Sequence, residues 1–243
     1  MWSELRGLKD EIDFGTPPRD GASVAIEIDG VAVSVPSGSS VMLAAAVAGC
    51  HIPKLCATDM LEPFGSCRVC LVEIEGRSGF PASCTTLVVE GMKVKTRTED
   101  LQRLRKGVLE LYLSDFPESE IGDGWSEFHE TLKAEGVESH PYGKGATHFD
   151  APVDQSNPYF LIDPAKCIVC SRCVRACAEV QGTFALSIAG RSFESKVVAS
   201  QDQPFFESEC VSCGACVQAC PSHALVEKSL FVGEYRHAES AEA

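Results

Sequence analysis

The chain has 243 residues, a formal net charge of −14 and thirteen cysteines, enough length for one or two domains with ordinary cores. So acidic a polypeptide lacks the basic footprint that nucleic-acid phosphates demand. No apolar run reaches the roughly 18 residues of a membrane span, and MWSELRGLKDEIDFG has no apolar signal-peptide segment. The expected location is therefore cytoplasmic, where thiols stay reduced and cysteines bind metal more readily than they pair.

Residues 1–20 are polar and read as a flexible arm. SVAIEI and VAVSV then alternate around Asp29-Gly30, the signature of a β-hairpin with a type I′ turn. Pro36-Ser37-Gly38 ends the second strand, Ser39 or Ser40 can cap a helix through VMLAAAVA, and Gly49 can close it. CLVEIEG and MKVKT are expected to be further strands. Thr98 followed by two acids opens a second helix, with Leu101, Leu104, Val108 and Leu111 on one face and Lys106 and Glu110 on the wetter side. The stretch 115–160 is rich in Gly, His and acids and shows weak periodicity, so it reads as connecting chain.

The cysteines fall in two groups separated by a cysteine-free stretch, 85–166. The C-terminal group repeats C-x2-C-x2-C-x3-C, first as Cys167, Cys170, Cys173 and Cys177, then as Cys210, Cys213, Cys216 and Cys220, with Pro221 following. Three closely spaced thiolates can wrap one face of a cubane, while the fourth stands on the following helix and reaches the other cluster, as in two-cluster ferredoxins. The expected ligand sets are crossed: Cys167, Cys170, Cys173 and Cys220 for one [4Fe–4S] cluster, and Cys210, Cys213, Cys216 and Cys177 for the second. Zinc knuckles use fewer cysteines at this spacing, and disulfides need an oxidising compartment.

The N-terminal group, Cys56, Cys67, Cys70 and Cys84, is spaced C-x10-C-x2-C-x13-C. It is similar to plant-type [2Fe–2S] sites with a longer first gap; a zinc site is the rival reading. The small neighbours Ala57, Gly65, Ser66, Ala82 and Ser83 would let backbone N–H groups approach the sulfurs. Cys50 is left over, at the end of an apolar helix, and reads as a small hydrophobe. His51, His129, His140 and His148 suggest no ligand role, and His223 at most neighbours a cluster. GKGAT at 143–147 is neither a P-loop nor G-x-G-x-x-G, and no acid–base or nucleophile constellation is visible. The chain by itself is expected to be non-catalytic.

The expected fold is α+β: a β-grasp [2Fe–2S] ferredoxin domain over 21–98, a helical linker over 99–159, a bacterial-type 2[4Fe–4S] ferredoxin domain over 160–230, and a disordered tail over 231–243. This order resembles the N-terminal iron–sulfur portion of the alpha subunit of NAD-dependent molybdenum or tungsten formate dehydrogenases. SNPYFLIDPAKCIVCSRCVRACAEVQGTFALSIAGR and ESECVSCGACVQACP carry that resemblance. It extends to the diaphorase small subunit of NAD-linked NiFe hydrogenases, to [FeFe] hydrogenases and to the large iron–sulfur subunit of complex I. Complex I proteins usually lack most cysteines of the second motif, whereas all of them stand here.

The resemblance implies one [2Fe–2S] and two [4Fe–4S] clusters, a molybdopterin (Mo or W) catalytic subunit and a flavin/NAD-binding diaphorase subunit as partners. It also implies that the Cys167-containing cluster lies nearer the [2Fe–2S] cluster and that the Cys210-containing one faces the catalytic partner. These families carry one more [4Fe–4S] site, held by a histidine and three cysteines after the second helix. Here YLSDFPESEIGDGW places Phe116 where that histidine would be, so this cluster is expected to be absent. In the alpha subunit a molybdopterin domain follows directly, whereas this sequence stops soon after VEKSLF. The catalytic part is accordingly expected on a separate polypeptide, unless the sequence is a fragment.

Overall fold

A computed structural model describes residues 13–117, 119, 121, 125–143 and 151–231. The first twelve residues of the expected arm, most of GKGAT with His148, and the tail beyond Phe231 lie outside them. The chain divides between Val108 and Leu109 into two compact units.

In the first unit, β1 (Ser23–Ile28) and β2 (Val31–Pro36) form the expected hairpin, with Asp29 at φ 49° and Gly30 at φ 83° making its turn. Helix α1 (Val41–Val47) is capped by the Ser40 hydroxyl, which accepts from the Leu43 N–H at 3.0 Å. β3 (Glu73–Ile74) and β4 (Lys93–Lys95) complete a sheet of order β2-β1-β4-β3, in which β4 runs parallel to β1 and antiparallel to β3. Ile26, Ile28, Val33 and Val35 of the hairpin bury against Val41, Leu43 and Ala44 of α1, and Cys70 and Cys84 belong to the same core. The cysteine loop is thus held from inside the fold.

CLVEIEG is not one continuous strand. Only Glu73–Ile74 joins the sheet, because the preceding backbone turns to the cysteine loop: Val72 N–H donates to Pro81 O, and Ser83 N–H to Cys70 O. From Asp13 onward the N-terminal arm is tied to its own unit. The Asp13 carboxylate accepts from Lys54 Nζ, Gly15 N–H and Asp59 N–H, and Thr16 Oγ1 lies 2.7 Å from Ser40 Oγ.

Helix α2 (Glu99–Ser114) starts at Thr98, whose hydroxyl accepts from Leu101 N–H. Its buried face is Leu101, Arg105, Leu109 and Leu113, not the expected Leu101, Leu104, Val108 and Leu111, and Leu111 is exposed. The stripe shifts because Arg105, only 1 % exposed, points inward. Its Nη2 donates to Leu71 O at 2.7 Å and Thr96 O at 2.9 Å, carbonyls that the short strands leave over.

In the second unit, α3 (Glu127–Ala134) lies within the stretch expected to be connecting chain. Ser126 caps it, and it buries only Phe128 and Leu132, too few apolar positions to announce a helix. The cysteine repeat lies within a frame formed by β5 (Phe160–Ile162), α4 (Arg172–Arg175), a π-helical turn (Ala176–Gln181), β6 (Leu186–Ala189), β7 (Lys196–Ala199), α5 (Ala215–Gln218), β8 (Leu225–Glu227) and α6 (Lys228–Phe231). β5 pairs antiparallel with β8 and β6 with β7. The first pairing brings the two ends of the repeat together.

Arg105→Met keeps the aliphatic stem but strips both donors from buried carbonyls, each worth about 1–3 kcal/mol when left unsatisfied. The thermal unfolding midpoint of the purified protein is expected to fall, and an unchanged midpoint would contradict this role.

Candidate metal centres

All thirteen cysteines are free thiols. Cys56, Cys67, Cys70 and Cys84 are all buried and gather in one place. Cys70 Sγ and Cys84 Sγ lie 3.5 Å apart, and the Cys67 N–H donates to Cys56 Sγ at 3.5 Å. The loop turns through Gly65 and Arg68, both left-handed, at φ 72° and 58°. A side chain at Gly65 would also meet Thr85 Cγ2 at 3.0 Å, so this position needs glycine. The Ser83 hydroxyl is fully buried beside Cys70, where it helps to lower the thiol's pKa. Cys50 stays outside this group, packed on the core edge.

The two C-terminal motifs share one backbone conformation. Val169 and Ser171 in the first, and Ser212 and Gly214 at the matching positions of the second, are all left-handed, with φ of 51°, 67°, 57° and 76°. A β-branched valine there is strained, and such strain persists only where the surroundings impose it. The result is a loop whose N–H groups turn inward onto sulfur: Val169 N–H to Cys167 Sγ at 3.4 Å and Ser212 N–H to Cys210 Sγ at 3.3 Å. Ala185 N–H donates likewise to Cys177 Sγ at 3.3 Å.

The eight thiols fall into two sets. Cys220 exerts its charge on Cys167, Cys170 and Cys173, whereas Cys177 acts on Cys210 and Cys216. Cys177, Cys210, Cys213 and Cys216 line one cavity, walled by Phe160, Ala185, Leu186 and Phe205. Cys173 also feels Cys216, so the two sets are neighbours. Cys213 is exposed, and the other seven are buried or half-buried.

Electrostatics tests whether these residues suit iron. Burial pushes Cys167, Cys170 and Cys216 up to about 12 and raises Cys173 and Cys210 as well. In the N-terminal group, hydrogen bonding from Cys67 and Cys84 lowers Cys56, and that from Cys84 brings Cys70 to about 7; Cys67 and Cys84 rise because each faces Cys56. Such thiols become thiolates together only when a metal group supplies compensating positive charge. Soft donors with N–H groups directed at their sulfurs suit iron–sulfur clusters. Among the described residues, no three or more His, Cys, Asp or Glu side chains are set to hold a single metal ion.

Three neighbours had no forecast role. Arg172, beside Cys173, is 2 % exposed and pairs through Nη1 with Glu127 at 2.9 Å. The α3 N-terminus lies on the loop after Cys220, with Phe128 N–H donating to Pro221 O at 2.9 Å. Trp125 packs against His223 with ring centroids 4.1 Å apart and planes tilted by 54°, and burial lowers the His223 pKa. The one sequence signal for Arg172 is that the matching residue of the second motif is Ala215. Phe116, at the position the resemblance assigns to a histidine, is buried with its ring centroid 5.1 Å from Phe128 and 5.5 Å from His129.

Fold and thiol sets define the class: an iron–sulfur protein in which a 2Fe–2S domain precedes a 4Fe–4S dicluster unit. Residues 21–99 match the 2Fe-2S iron-sulfur cluster binding domain and residues 166–224 the 4Fe-4S dicluster domain. Among known proteins the chain is 36% identical, over 84% of its own length and 36% of the relative's, to NADP-reducing hydrogenase subunit HndD of Solidesulfovibrio fructosivorans. It is 28% identical to a putative formate dehydrogenase, SH0748, of Staphylococcus haemolyticus, over 84% of this chain and 21% of that one. It thus spans only a fifth to about a third of these relatives. A chain in the crystal structure of an NAD+-reducing [NiFe]-hydrogenase in the H2-reduced state superposes with a TM-score of 0.73 at 28% identity, covering 86% of this chain and 88% of that one. The kinship expected from the sequence, with NAD-linked hydrogenases and formate dehydrogenases, is therefore present.

Gly214 has open space around it, with nothing within 4 Å of an added Cβ. Gly214→Val should therefore lose stability through its backbone angle alone, by about 1–2 kcal/mol. Thermal denaturation of the as-purified protein would register this, while Gly214→Asn, which tolerates that angle, should stay close to the parent.

Proposed function

We propose that this chain is an electron-transfer subunit of an NAD-linked oxidoreductase whose bond-breaking chemistry belongs to another chain. Cys56, Cys67, Cys70 and Cys84 would hold one [2Fe–2S] cluster, Cys167, Cys170, Cys173 and Cys220 one [4Fe–4S] cluster, and Cys210, Cys213, Cys216 and Cys177 a second. When bound, such clusters supply one-electron redox chemistry at potentials set by their surroundings. The chain's own part is to fix the sulfurs, direct N–H groups at them and exclude water. The observation that carries the reading is the pair of neighbouring thiol sets, buried or half-buried except at Cys213, on a chain with no acid–base constellation in its sequence. The exposed edge at Cys213 suits contact with a catalytic partner.

The particular reaction proposed is formate oxidation at a molybdenum or tungsten centre on a molybdopterin subunit, with a flavin subunit reducing NAD+ and the assembly in the cytoplasm. The GTFALSIAGR stretch and the relative named as a putative formate dehydrogenase support it. A second reading, the diaphorase iron–sulfur subunit of an NAD-reducing NiFe hydrogenase, is favoured by the 88% coverage of the hydrogenase chain. Metal analysis of the co-purified complex separates them: molybdenum or tungsten with formate-dependent NAD+ reduction supports the first, nickel with hydrogen-dependent reduction the second. Recovery of the chain as a free monomer would speak for an independent redox carrier.

Anaerobically purified protein should contain about ten iron atoms per chain; a value near ~14 would indicate a further four-iron cluster and contradict the proposed set. Cys213→Ala should abolish formate-to-NAD+ electron transfer in the complex while NADH-driven dye reduction by the flavin subunit persists. Normal coupled turnover in that variant would refute the relay.

A further inference from the structure

The two C-terminal motifs share a backbone but not a charge environment. At the position after the second left-handed residue, the first motif has Arg172 and the second Ala215. Arg172 is 2 % exposed, and it touches one thiol set through both its guanidinium and its backbone. Nη1 reaches Ala219 O, next to Cys220, at 3.5 Å, while the Arg172 backbone N–H donates toward the Cys170 sulfur. Its counter-ion, Glu127, is 46 % exposed and comes from α3, at 2.9 and 3.0 Å from Nη1. The pair is thus unequal, with the cation buried beside the thiols and the anion largely in water. For the other set, the leading charge influences on Cys210 and Cys216 are neighbouring thiolates.

We propose that Arg172 is a positioning residue that sets the two [4Fe–4S] potentials apart, its buried charge raising that of the Cys167, Cys170, Cys173 and Cys220 cluster, with Glu127 as a partial counterweight. This rests on the ligand sets proposed above. Reduction adds one negative charge to a cluster already carrying four thiolates, so a fixed cation in a water-poor site favours the reduced form. The same charge in water would be screened. Glu127 tempers the effect because solvent screens it more than it screens Arg172. The link also ties the cluster's electrostatics to α3, whose N-terminus delivers Glu127 and rests on Pro221.

The test is a redox titration of the full-length, anaerobically purified chain, followed by EPR. Cys213→Ala identifies the signals, since it should remove that of the Cys210-containing cluster. Arg172→Met should move the other [4Fe–4S] signal to lower potential and leave the remaining clusters in place. Arg172→Lys, which keeps the charge, should stay near the parent, and Glu127→Gln should move the same signal upward. Equal shifts in the Met and Lys variants, equal shifts in both [4Fe–4S] signals, or a downward shift in Glu127→Gln would overturn the proposal. If Arg172→Met does not fold, the sign of the Glu127→Gln shift decides alone. Failure of the parent protein to show two [4Fe–4S] signals would instead refute the ligand sets.

Discussion

Sulfur ligands carry charge, and charge resists burial. Here the N-terminal four thiols are buried, and Cys173 and Cys216 lie in the hydrophobic core of the second unit. Burial disfavours the thiolate form, and within the N-terminal group Cys56 and Cys70 are lowered only as Cys67 and Cys84 are raised, so all of them ionise together only when cationic metal is bound. The remaining architecture follows from that demand. In the first unit, the backbone of CLVEIEG leaves the sheet to hold Cys70 and Ser83 together. In the second, left-handed residues turn amide hydrogens onto sulfur, which lessens the charge without adding any side chain.

One loop conformation occurs twice, in different surroundings. Ser171-Arg172 occupies the place that Gly214-Ala215 has in the second motif, and one set is covered by α3 while the other has an exposed cysteine. A relay gains from such inequality, since identical neighbouring sites give an electron no preferred resting place. The difference resides in residues that contact the thiols without ligating them, in keeping with the influence of outer partners on metal centres.

Local and spacing-encoded features were legible in the sequence. Asp29-Gly30 forces its own turn, Ser40 caps its own helix, and the repeated C-x2-C-x2-C-x3-C announces the 4Fe-4S dicluster domain by interval alone. What escaped depends on distant partners. Arg105 appears polar in a helical pattern, yet it faces inward because Leu71 and Thr96 present carbonyls to it. Helix α3 carries only Phe128 and Leu132 as buried anchors and gains its place from the loop at Pro221. The role of Arg172 needed the position of Glu127, 45 residues earlier in the chain, which no periodicity reports.

The interleaving of the two thiol sets also governs the order in which the protein can be made. Cys220 stands with the first three cysteines of the earlier motif, and Cys177 with the later ones. During synthesis, the earlier loop therefore emerges with three of its proposed four partners and waits for Cys220, just ahead of the last strand, before that set can close. On the proposed ligand sets both sites would be completed nearly together, by Cys216 and Cys220, rather than in sequence. Iron delivered early would meet an open site, and a ribosome that stalled before Cys220 would leave a chain able to finish neither the first set nor the β5–β8 pairing that holds its ends.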